Sequence, residues 1–147
     1  MGTFTLGMAA SNLRAATGYE IQTLTRDPAN PDRRMLFSPN ILKVPAGSRI
    51  TFTPTDPGHN VQTTPGMLPD GAAAWRFGFG KSGSVTLSSP GFYGYHCMPH
   101  RSMGMVGLII VEGAGMKANL AAAKAVRQPG KAGAVWADLW AKAEALV

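Results

Sequence analysis

From Tyr19 to Val111 no apolar periodicity is sustained for long; short runs rich in β-branched and aromatic residues alternate with Gly- and Pro-containing turns. In YEIQTLT, Tyr19, Ile21 and Thr23 share one face, and DPANP follows with turn chemistry. MLF at Met35 to Phe37 stops at Ser38-Pro39. NILKV and SRITFTPT flank Pro45-Ala46-Gly47; Ile50 and Phe52 alternate with Arg49, Thr51 and Thr53, and Pro54 marks the strand's end. HNVQTT, WRFGF, SVTLS and GFYGYHC come next. The last run, Val106 to Val111, is almost continuously apolar, as expected of a central strand covered on both faces. Eight or so short strands at this spacing predict a β-sandwich, an all-β fold.

The pattern changes after Gly113-Ala114-Gly115. MKANLAAAKAVR and AGAVWADLWAKAEALV are built of good helix formers and separated by Gln128-Pro129-Gly130, which predicts two C-terminal helices. In the second, Trp136, Leu139, Trp140 and Ala143 form one stripe, expected to pack on the sandwich. The chain thus divides into residues 1–16, a signal-peptide remnant or N-terminal extension; 17–112, the sandwich; and 113–147, the helices.

At 147 residues there is room for one core. Lys and Arg outnumber Asp and Glu by 14 to 8, so the surface should favour acidic partners. Nucleic acid is disfavoured, because the basic residues form no dense run and no nucleic-acid-binding motif accompanies them. No apolar run approaches the ~20 residues that cross a bilayer. The one cysteine excludes an intramolecular disulfide.

That cysteine lies in the most informative stretch, G-Y-H-C-M-P-H-R-S-M-G-M-V-G from Gly94 to Gly107. Cys97 and His100 can converge on one metal if the loop between them turns, and Pro99 restricts that loop. Met105 adds a thioether, and His59, in the distant P-G-H-N, can complete the set from another strand end. Two imidazoles, a thiolate and a weak axial thioether are the donors of a blue-copper centre. Such a set suits both copper oxidation states tolerably, so little has to move on electron transfer. Two other readings stay open on residue types alone. Cys and His are legitimate zinc ligands, although methionine is a poor one, and Cys97 with His100 could form an activated thiolate. His96 should point away from Cys97 across the strand, as an exposed or supporting polar residue. Asn60 is a candidate to tie the His59 segment to the Cys97 loop.

With MLFSP, ILKVPAGSRITFTP, DPGHNV, MLPDGA, SPGFYGYHCMPH, MGMVGLIIV and the two alanine-rich helices, the chain from Tyr19 onward resembles the pseudoazurins, a group of periplasmic cupredoxins. The resemblance implies a Greek-key cupredoxin sandwich with two C-terminal α-helices, and one type 1 copper ion on His59, Cys97, His100 and Met105. It implies a monomeric one-electron carrier, not an enzyme. Electrons would pass between a respiratory donor of the cytochrome c type and a periplasmic acceptor such as copper nitrite reductase. They would leave by the edge of His100, ringed by Met35, Pro99 and Met103, with basic residues docking an acidic partner. Arg26, Arg33, Arg34, Lys43 and Arg76 are the candidates here, while Pro57 and His96 stand where lysines are common. A periplasmic copper-delivery protein is the alternative.

Overall fold

A computed structural model describes residues 18–147; the expectation for residues 1–16 lies outside them. Nine strands form two sheets: β1 (Gly18–Arg26), β2 (Arg34–Ser38), β3 (Ile41–Pro45), β4 (Ser48–Thr53), β5 (Val61–Thr63), β6 (Arg76–Phe77), β7 (Gly83–Leu87), β8 (Gly91–His96) and β9 (Val106–Glu112). One sheet has the order β2-β1-β4-β7 and the other β3-β9-β8-β5-β6. β1 runs parallel to β4 and β3 parallel to β9, while the remaining pairs are antiparallel.

The alternation in β9 shows why its sequence is apolar throughout. Ile109 and Val111 face the other sheet, in a core shared with Ile21, Phe37, Phe52 and Tyr95. Val106, Leu108 and Ile110 face the opposite way, into a second core shared with Phe92, Trp136, Leu139 and Ala143. A strand sandwiched between two cores has no solvent side. Tyr95 lies edge-on to Phe37 and Phe52, with ring centroids 4.8 and 5.3 Å away. Its β9 neighbour is Gly107, where a Cβ would stand 2.2 Å from the Tyr95 ring, so only glycine admits that tyrosine.

The second core is closed by α2 (Ala132–Leu146), whose buried residues are Ala132, Trp136, Leu139 and Ala143, with Trp140 packed at its margin. Burying a side chain as large as Trp136 contributes at least about 1.5–3 kcal/mol. The helix is also fixed at its far end, where Lys43 Nζ donates to the Leu146 carbonyl and pairs with Glu112. The first predicted helix is shorter than its composition implies: α1 is Leu120–Lys124 only. Residues 113–119 are turns, because Gly113 and Gly115 take positive φ and the Asn119 side chain binds both the N–H and the carbonyl of Phe92.

Candidate metal centre

The strands that carry the chemistry end at one edge of the sandwich. β8 delivers Cys97 just past its last residue, and the chain enters a 3-10 turn, Met98–Met103, that carries His100. The turn is closed by main-chain bonds: His100 N–H donates to the Cys97 carbonyl (3.2 Å), Met105 N–H to the His100 carbonyl (3.1 Å) and Cys97 N–H to the Met105 carbonyl (3.1 Å). Gly104 ends it at φ 96°, in the left-handed region that glycine enters without strain. Met105, at 0% exposure, then leads into β9. His59 comes from the segment between β4 and β5.

The three predicted donors meet. His59 Nδ1 lies 3.1 Å from His100 Nδ1, and Cys97 Sγ lies 3.9 Å from the first and 3.5 Å from the second. These are the separations of three ligands sharing one ion at about 2.0–2.3 Å, the range found for zinc with the same donors. His59 Nε2 is 2.9 Å from Thr25 Oγ1; with the ring proton held there, Nδ1 presents its lone pair inward. With His59 Nδ1 turned inward, His100 Nδ1 at 3.1 Å and Cys97 Sγ within 3.9 Å of both, the donor set has the spacing and chemistry to hold one metal ion. Met105 belongs to the same buried cluster as Cys97, which puts its thioether, rather than an oxygen ligand, among the candidate donors.

Burial lowers the pKa of His59, with His100 adding to the effect and Asp56 opposing it. The imidazole is therefore kept neutral, as a ligand must be. Burial pushes the Cys97 thiol up, against the stabilising N–H groups of Asn60 and His100. A buried thiol held up in this way is a poor free nucleophile, which counts against the activated-thiolate reading. Deprotonation has to be driven by a metal.

Asn60 does tie the two segments together: its Oδ1 accepts a 2.7 Å bond from Met98 N–H, and its side-chain amide donates to Gln62 Oε1 at 3.1 Å. Of the two expectations for His96, exposed or supporting, the structure selects the second, because the residue is 5% exposed. Thr64 and Arg101 lie close to it. Its Nδ1 is 2.7 Å from Thr64 Oγ1. Burial, reinforced by Arg101, lowers its pKa to about 4. Thr25 had escaped sequence reasoning altogether, since nothing in QTLTR marks it; only the pairing of β1 with β4 brings it to His59. Two of the docking candidates are already engaged, Arg33 with Asp27 and Lys43 with Glu112.

A sandwich of this order, with two imidazoles, a buried thiol and a buried thioether at one edge, defines a cupredoxin, a copper protein that carries electrons. The family model for copper binding proteins of the plastocyanin/azurin family matches residues 28–112. Pseudoazurin of Methylorubrum extorquens is 37% identical over 85% of this chain and 81% of that protein. Pseudoazurin of Paracoccus pantotrophus is 36% identical over 86% of this chain and 83% of its own length. Among solved structures, a Sinorhizobium pseudoazurin superposes with a TM-score of 0.80 at 36% identity, covering 87% of this chain and 97% of that one. The chain belongs to the pseudoazurins. It is a copper-binding electron carrier and not an enzyme.

Proposed function

We propose that His59 Nδ1, Cys97 Sγ, His100 Nδ1 and Met105 Sδ hold a single type 1 copper, and that the chain is a periplasmic one-electron shuttle between a respiratory donor and an acceptor such as copper nitrite reductase. Residues 17–112 would form the copper-bearing sandwich, and 113–147 the helical layer that supports it. The observation that carries the reading is the convergence of two Nδ1 atoms and one Sγ within 3.9 Å of one another. When bound, copper supplies a reversible Cu(II)/Cu(I) couple. The protein's part is to keep the donors still. Thr25 orients His59, N–H groups of Asn60 and His100 stabilise the thiolate, and the main-chain bonds of the 3-10 turn fix His100 and Met105. Four protein donors leave no open position for substrate.

His100 is half-buried, whereas His59 is buried. Met98 and Met103, exposed on either side of His100 along the chain, supply an apolar contact surface at the copper edge. With six net positive charges, the partner should be an acidic redox protein, and transfer to it should slow as salt rises. A visible spectrum of the copper-loaded protein tests the reading. An intense thiolate-to-copper band that disappears on reduction is expected, and its absence would overturn the assignment. Rapid loss of copper to a competing chelator would favour delivery over electron transfer.

A further inference from the structure

Beyond the metal centre, Arg101 and Arg127 carry positive charge that takes part in no ion pair among the described residues. Arg101 follows His100 in the 3-10 turn, and Arg127 lies in the segment between α1 and α2. With Gln128 and Pro129 they line an open groove of about 650 Å³. The Arg101 guanidinium is held in place: one Nη donates to Gln128 Oε1 at 3.1 Å, and Gln128 Nε2 donates in turn to the sulfur of fully buried Met67 at 3.3 Å. The amide is therefore oriented from the core side. Arg101 Nε is buried without a hydrogen-bond partner. Among the described residues the ion pairs are Arg33–Asp27, Lys43–Glu112, Lys124–Glu144 and Lys142–Asp138, and neither Arg101 nor Arg127 takes part.

Arg101 Nε is closed to solvent and is not itself a ligand contact, but a partly buried guanidinium with no carboxylate beside it is costly to keep, and its Nη groups remain to meet an anion. Its fork of N–H groups matches the oxygens of an oxyanion. We propose that the groove formed by Arg101, Arg127 and Gln128 binds a small dianionic oxyanion of the phosphate class. Two guanidinium charges call for two negative charges, which a single carboxylate does not provide. Arg127, exposed and part of the same lining, would supply the second positive charge. Because Arg101 adjoins His100, the bound anion places negative charge beside the metal centre and favours the oxidised state; this last consequence rests on the copper reading, and the binding itself does not.

The test is a titration of inorganic phosphate into copper-loaded, reduced protein at constant ionic strength, followed by the amide resonances of Arg101 to Met103 and Arg127 to Gly130 and by the arginine Nε–H signals. Saturable shifts confined to these groups are expected. Arg127→Gln should weaken the affinity about tenfold, the effect of removing one charge-assisted contact of about 1.4 kcal/mol, and Arg101→Gln at least as much. In wild type alone, phosphate should also lower the copper potential. Absence of saturable shifts, or unchanged affinity in Arg127→Gln, would overturn the proposal. So would acetate binding as tightly as phosphate, which would point to a carboxylate of a docking protein. If the phosphate shifts appear but the blue band does not, the copper reading fails and the groove stands.

Discussion

Asn60 Oδ1 accepts a 2.7 Å hydrogen bond from Met98 N–H, joining two segments that share no strand pairing at that point. One carries His59 and the other Cys97 and His100, so this side chain holds the two halves of the donor set in register. Asn60 itself is buried, and truncation leaves the Met98 N–H without its acceptor. Asn60→Ala should cost about 1 kcal/mol, the net worth of a part-buried hydrogen bond, read from chemical denaturation. The blue band should persist but shift, because the donors remain while their spacing relaxes. An unchanged band and an unchanged denaturation midpoint would mean that the stitch is incidental.

Cys97→Ser separates the roles of fold and donor. The side chain is fully buried among Phe37, Tyr95 and Met105, and a hydroxyl is close to isosteric, so the sandwich should form with its circular-dichroism spectrum intact. The hydroxyl cannot replace the thiolate as a soft ligand, and the visible band should vanish. A serine variant that stayed blue would end the copper–thiolate assignment.

The convergence of Cys97 and His100 could be expected from the sequence because the two sit three residues apart on one short loop, where spacing and residue type constrain each other. What stayed hidden depends on pairing across the fold. Thr25 reaches His59 only because β1 lies alongside β4. The burial of His96 depends on Thr64 and Arg101, which come to it from other segments, and nothing in GFYGYHC records that they do. Lys43 reads as a free surface charge until α2 ends beside it and Glu112 pairs with it. Composition alone extended α1 too far, since Met116 to Ala118 have helix propensity but follow glycines at positive φ.

His96 should make the metal-free protein acid-sensitive in a defined window. Its folded pKa is lowered to about 4 by burial and by Arg101, below the ~6.5 of an unfolded chain. Above about pH 6.5 the imidazole is neutral in both states, and stability is independent of this group. As pH falls from there toward 4, the unfolded chain takes up the proton first, so stability declines through that interval. His96→Asn keeps a polar atom near the position of Nδ1, facing Thr64, but cannot titrate. Its denaturation midpoint should fall less steeply between pH 6.5 and 4; a slope equal to that of wild type would remove His96 as the cause.

Met103 and Met105 both follow His100 closely, and the structure separates them sharply. Met105 is 0% exposed and packs in the core that contains Cys97, whereas Met103 is 49% exposed at the end of the 3-10 turn. Main-chain bonds also run from Met105 to both Cys97 and His100, so its Cα cannot drift without disturbing the other donors. Those observations support the proposal that Met105, and not Met103, would supply the thioether. Replacing a weak sulfur donor by an amide oxygen stabilises the oxidised ion, so Met105→Gln should lower the reduction potential and alter the spectrum while some blue absorption survives. Met103→Gln changes a solvent-facing side chain on the contact surface. It should leave the potential nearly unchanged and slow transfer to a partner protein instead. If Met103→Gln gave the larger shift in spectrum and potential, the axial ligand would be misplaced by two residues, and the buried sulfur of Met105 would be only part of the core.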